Sequence, residues 1–248
     1  MNLIECLFTQ SACYQARQQM EPTGIVFHST GANNPNLKRY VQPSINDKNY
    51  NDLIKKIGKN TYGNDWNRKS ANVCVHYFIG KLANGKVATA HALPDNTACW
   101  GCGRGSKGSY NYNPTGKIQF EVCEDNLKDE QYFKEVYVEA VELCASLCKK
   151  YGFGPDKIRS HKEAHADGYA SNHGDPDHWL KLYGKTMDDF RADVAKQLKP
   201  NSNVIIPTST STGTIYRVQV GAFSNKANAE AMVKKLKAAG FDAIITKK

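Results

Sequence analysis

The sequence predicts an α/β or α+β domain built on a central sheet, followed by a second, smaller unit. Three observations predict this. Short apolar runs ending in polar or turn residues recur between residues 24 and 123 and read as buried strands. Residues 129–150 carry apolar side chains at helical spacing. Residues 200–213, PNSNVIIPTSTSTG, are rich in Pro, Ser, Thr and Asn and free of acids, which reads as a linker between a large unit, 1–199, and a small one, 214–248.

Each element has its own signal. GIVFHST (24–30) is an apolar strand opening into a loop, and NDLIKKI (51–57) has helical spacing. ANVCVHYFIG (71–80) is a second strand. Asn84-Gly85 is a hairpin turn signal, and KVATAHAL (86–93) is the expected partner. GKIQFEVC (116–123) is a further strand. Phe133, Val136, Ala140, Leu143 and Leu147 then share one face of a long helix, which Gly152, Gly154 and Pro155 end. KTMDDFRADVAKQL (185–198) closes the large unit as a helix. Residues 214–248 read as strand, helix, strand. Tyr216, Val218 and Val220 alternate, Ser224 or Asn225 caps a helix bearing Ala229, Met232, Val233 and Leu236, and FDAIIT follows.

The chain has 248 residues, 40% hydrophobic and 23% charged, which excludes disordered and fibrous classes. No apolar run approaches the ~18 residues of a membrane span, so membrane insertion is not expected. The N-terminus lacks a cationic start followed by an apolar run, so a cleaved secretory signal is not expected and synthesis in a host cytoplasm is. The net charge is +9, and residues 214–248 supply most of it, with seven Lys or Arg against two acids. That tail suits an anionic partner, and nucleic acid and an anionic cell wall both fit. No interleaving of aromatic and basic residues supports a nucleic-acid partner.

Eight cysteines in a chain of this size are no small disulfide scaffold. Cys74 and Cys123 lie in apolar segments, and Cys144 and Cys148 share a helix face, as buried reduced thiols would. Cys99 and Cys102 form a single CxxC, a pattern shared by zinc sites, redox sites and plain burial. The histidines are more pointed. His28 ends the first strand and Glu121 ends a later one. Four of the seven histidines fall in RSHKEAHADGYASNHGDPDHW, among them His161 and His173, two residues before Asp175. Two imidazoles and a carboxylate with a fourth position open form the ligand set of a catalytic zinc site. A set of unrelated loop histidines is the alternative.

The order HST, HYFIG, ACWGCG, IQFEVCEDN and SHKEAH…NHGDPDHW resembles the type-2 N-acetylmuramoyl-L-alanine amidases, the zinc amidase and peptidoglycan-recognition family, and most of all clostridial phage endolysins. The resemblance covers about residues 20–198 and implies a central mixed sheet flanked by helices. It implies Zn2+ held by His28, His161 and Asp175, with His173 as the alternative third ligand. It also implies Glu121 as the catalytic acid and base. The family often has Lys where this chain has His173, which would then stabilise the oxyanion. His76 falls at a motif that shapes the substrate groove, and His91 and Trp100 resemble groove-wall positions, with a packed aromatic as the alternative. Arg104 and Lys107, in a Gly-rich loop, are candidates to meet the acidic stem peptide, with solvated loop charges as the alternative. TIYRVQVGAF and LKAAGFDA resemble one βαβ half of a sporulation-related repeat (SPOR) domain, a binder of peptidoglycan.

The resemblance therefore implies a wall hydrolase that cleaves the N-acetylmuramoyl–L-alanine amide, acting as a phage endolysin. A host autolysin and a non-catalytic peptidoglycan-binding protein are the alternatives. The expected partner is bacterial peptidoglycan. Because one βαβ half leaves an open sheet edge, a homodimer through residues 214–248 is also expected.

Overall fold

The computed structural model describes residues 1–199, 219–238, 241 and 243–246. The chain divides into two compact units, Met1–Leu198 and Lys199–Lys248. In the first, six strands form one sheet in the order β1-β4-β3-β5-β2-β6. They are β1 (Leu3–Glu5), β2 (Ile25–Ser29), β3 (Tyr77–Lys81), β4 (Val87–His91), β5 (Ile118–Val122) and β6 (Ile158–Ser160). β3 and β4 form the antiparallel hairpin expected around Asn84-Gly85. All other neighbours are parallel, so the sheet is mixed.

Alternation along β2 and β5 sorts side chains between two layers. Ile25, Phe27, Ile118, Phe120 and Val122 face one core, closed by α3 (Glu130–Tyr151), α5 (Asp177–Leu182) and α6 (Met187–Leu198). Phe27 stacks on Phe120 with ring centroids 4.7 Å apart and meets Phe190 of α6 at 4.9 Å. α3 ends where Gly152 takes a left-handed conformation, φ 71°, which a glycine adopts without a Cβ penalty. On the opposite face, Phe78, Leu37 and Ile57 belong to a second core, to which α2 (Tyr50–Ile57) and α1 (Ala12–Gln15) contribute. The next residues of β2 and β5 on this face are His28, Gln119 and Glu121. α4 (His161–Ala166) follows β6 directly.

Three expectations change. The strand expected over 71–80 begins only at Tyr77. Residues 71–75 have no regular structure, and the bend at His76 bonds Gln119 and Ala92 through its backbone before the strand begins. β1 and β6 were not foreseen. In the second unit α7 (Lys226–Ala238) forms, with Asn225 Oδ1 accepting from the Ala227 N–H at 2.8 Å. The strand expected over 216–220 lies largely outside the described residues. Of the expected FDAIIT strand, Phe241 and residues 243–246 are not in a strand.

Candidate active site

The site lies at the C-terminal ends of β2 and β5, a usual place for function in open α/β sheets. His28 and Glu121 are paired in register on these neighbouring parallel strands, so both side chains leave the same face. His161 opens α4. Ser160 caps that helix and Glu163 reciprocates, a capping box that fixes where the helix starts. Arg191 of α6 grips Glu163 through both oxygens, at 2.8 and 2.9 Å. Asp175 comes from the loop before α5. Its carbonyl accepts from the His161 N–H at 3.1 Å, and its Oδ2 accepts from the Ser29 N–H at 3.2 Å.

These three side chains meet. His28 Nδ1 lies 2.9 Å from His161 Nδ1. Asp175 Oδ2 is 3.4 Å from the first nitrogen and Oδ1 is 3.5 Å from the second. Both imidazoles are almost fully buried. Each also has an acceptor at its far nitrogen. His28 Nε2 faces Gln119 Oε1 at 3.2 Å, and His161 Nε2 faces Ser171 Oγ at 3.3 Å. Ser171 Oγ in turn donates to the Cys102 carbonyl. With the ring protons drawn to Nε2, two lone pairs and a carboxylate face one another with no proton between them. Such a cluster of acceptors calls for a cation. A tetrahedral zinc site with bonds of about 2.0–2.1 Å has edges of about 3.3–3.4 Å, which the observed separations approach.

The electrostatics agree. Burial would raise the Asp175 carboxyl, but the adjoining His28, then His161 and the Ser29 N–H, together pull it down to about 2. Burial and the neighbouring His28 push the His161 ring down to about 3, so it is neutral and free to ligate. Glu121 is raised well above the usual carboxylate range, first by burial and then by Asp175 and Glu124. Its Oε2 is buried without a hydrogen-bond partner.

The other singled-out residues scatter. His173 lies at the mouth with 61% of its side chain exposed, its ring 4.5 Å from that of His161 and its Nδ1 3.9 Å from Asp175 Oδ1. Trp100, Arg104 and Lys107 line a groove of about 740 Å³ together with Asn111, Tyr112 and Tyr169. Lys107 also donates to the Asp167 carbonyl. His76 does not line it. This residue is fully buried, its Nε2 against the Thr97 carbonyl and its Nδ1 accepting from the Gln119 N–H, and burial drives it down to about 4. A neutral ring between two backbone groups positions β5. His91 sits on β4 on the other face of the sheet, stacked on Tyr77 and beside Glu5 and Asp95. His165 faces the Ala170 carbonyl and His178 pairs with Glu124. All eight cysteines are free and buried, and among the described residues they join no metal-ligating cluster. Sequence reasoning missed Gln119 and Ser171. Gln119 was within reach, since it lies two residues before Glu121 and so on the same strand face.

Residues 18–178 match the family described as N-acetylmuramoyl-L-alanine amidase. The chain belongs to this amidase family. Residues 186–247 match the SPOR domain. That second match opens inside α6, whose Phe190 and Val194 are buried in the core of the first unit, so only its later part lies in the second unit. The N-acetylmuramoyl-L-alanine amidase CwlL of Bacillus licheniformis is 27% identical over 176 residues, covering 67% of this chain and 44% of that protein. The chain thus spans less than half the length of that relative. Among solved structures, the hydrolase AmiA of Staphylococcus aureus, in complex with its ligand, is similar with a TM-score of 0.50 at 16% identity, over 80% of this chain and 83% of that one. The catalytic domain of XlyA gives a TM-score of 0.50 at 16% identity, over 78% and 99%. At these identities the likeness is one of fold, and it matches the mixed sheet flanked by helices.

Proposed function

We propose that this amidase is a zinc-dependent peptidoglycan hydrolase that cleaves the amide between the lactyl group of N-acetylmuramic acid and L-alanine. The observation that carries the reading is the meeting of the His28, His161 and Asp175 acceptors beside the buried Glu121. His28, His161 and Asp175 would hold the metal. When bound, zinc supplies Lewis acidity to the scissile carbonyl and makes water nucleophilic at neutral pH. Glu121 takes the proton of the attacking water and returns it to the leaving amine, a role suited to a buried carboxylate held above its usual range. His173, exposed at the mouth, donates to the carbonyl oxygen as negative charge develops there. Trp100 and Arg104 bind substrate along the groove, the guanidinium taking a carboxylate of the stem peptide.

In this reading residues 1–199 are the catalytic domain, 200–213 a linker and 214–248 a wall-binding module. The SPOR match and the positive tail support that role for the module. The biological role is that of a phage endolysin, which lyses its host once the membrane is permeabilised. The module also joins two chains. Val220, Phe241 and Ile244 are each more than half exposed, and a second copy would cover them. The test of the metal reading is a zinc titration of the chelator-treated full chain. One zinc per chain, with wall-degrading activity restored, is expected. Full activity in the stripped chain contradicts it.

A further inference from the structure

We propose that Gln119, seated by Asn111, is a positioning residue that locks His28 in the tautomer presenting Nδ1 to the metal. The inference rests on the zinc reading above and adds to it a residue outside the ligand set.

The donors and acceptors around Gln119 have one consistent arrangement. Asn111 Oδ1 receives the Cys102 backbone N–H at 3.0 Å, and a backbone N–H can only donate, so the atom there is the amide oxygen. That same oxygen lies 2.9 Å from the Gln119 side-chain amide, which must therefore turn its NH2 toward it. The Tyr110 carbonyl, 3.4 Å from the same nitrogen, demands the same orientation. Gln119 Oε1 is then the atom that faces His28 Nε2 at 3.2 Å, and it can only accept; the Cys102 thiol is the more distant contact of that nitrogen, at 3.8 Å. The proton of His28 is held on Nε2, and the lone pair is left on Nδ1, which points at His161 and Asp175. Partners of this kind, one shell out from a metal, set ligand tautomer and ring orientation.

The surroundings are built for this amide. Gln119 is fully buried, and its backbone is fixed from both sides by His76, which accepts from its N–H at 3.0 Å and donates its own backbone N–H to the Gln119 carbonyl at 2.9 Å. Gly101 makes room for it. A Cβ at that position would stand 2.3 Å from Gln119 Oε1, so any larger residue displaces the acceptor from His28.

Two measurements on the full chain test this. The first is zinc affinity by competition with a chromophoric chelator. Gln119→Met keeps the side-chain length and removes the amide's hydrogen bonds, and it should weaken zinc by about 10- to 100-fold. Asn111→Asp keeps the oxygen acceptor for both N–H groups and should bind zinc within a few-fold of wild type. The second is the 15N NMR signature of His28 in the metal-free protein, which should report an Nε2–H tautomer in the wild type and a mixture in Gln119→Met. Should Gln119→Met fail to fold, the wild-type spectrum still decides, because an Nδ1–H tautomer there overturns the proposal. Equal zinc affinity of wild type and a folded Gln119→Met also overturns it while leaving the metal reading intact. A wild-type chain that binds no zinc overturns both.

Discussion

Glu121 and His173, the two residues proposed to act on the scissile amide, sit in opposite environments, one buried and the other mostly exposed. Glu121→Gln should retain zinc and fold yet lose roughly 10²-fold or more in turnover, as expected for loss of a general base. Near-normal turnover with zinc bound would remove Glu121 from the mechanism. His173→Ala should also keep its zinc and lose rate. Loss of the metal instead would make His173 the third ligand. Two histidines away from the site bear on stability with opposite sign. For His91, burial works against the charged ring, but the Asp95 hydrogen bond and Glu5 outweigh it and raise the ring above its ordinary value. A raised folded-state pKa gives stability that is full below about pH 6.5 and lost as pH rises through the folded value. The stability difference between wild type and His91→Gln, followed by urea denaturation, should therefore shrink with rising pH. His76 is depressed to about 4 and acts the other way, costing stability as pH falls from about 6.5 toward 4.

At the scale of elements, the short helix α4 carries a disproportionate duty, because its first residue is His161. Ser160 fixes its start, and Arg191 holds the reciprocating Glu163. Ser160→Ala should cost about 1 kcal/mol in chemical denaturation, the usual size of a lost N-cap, and should weaken zinc as His161 loses its fixed position. An unchanged stability would show the cap to be redundant with the Arg191 contact. The long helix and the hairpin were legible in the sequence because periodicity and the Asn84-Gly85 turn are local signals, and His28, Glu121, His161 and Asp175 stood out by residue type. β1 and β6 were not legible, since three residues carry no readable alternation. The place of His76 was hidden for another reason. Its partners are the backbones of Thr97 and Gln119, far away in sequence, and only the fold brings them to the ring.

For the whole molecule, the proposed function divides the binding and the cutting of a polymer between the two units. A second chain engaged through residues 214–248 would make the second wall contact intramolecular and raise avidity without any new contact. Light scattering at micromolar concentration should give a dimer for the full chain and a monomer for a chain ending at Leu198. Monomers in both cases would confine the module to wall binding. The central claim is the bond that is cut. The most direct test is to digest purified peptidoglycan with the zinc-loaded full chain and identify the groups released. New N-terminal alanine, with no new reducing sugar ends, is the predicted result. New reducing ends without new amino termini would contradict the account.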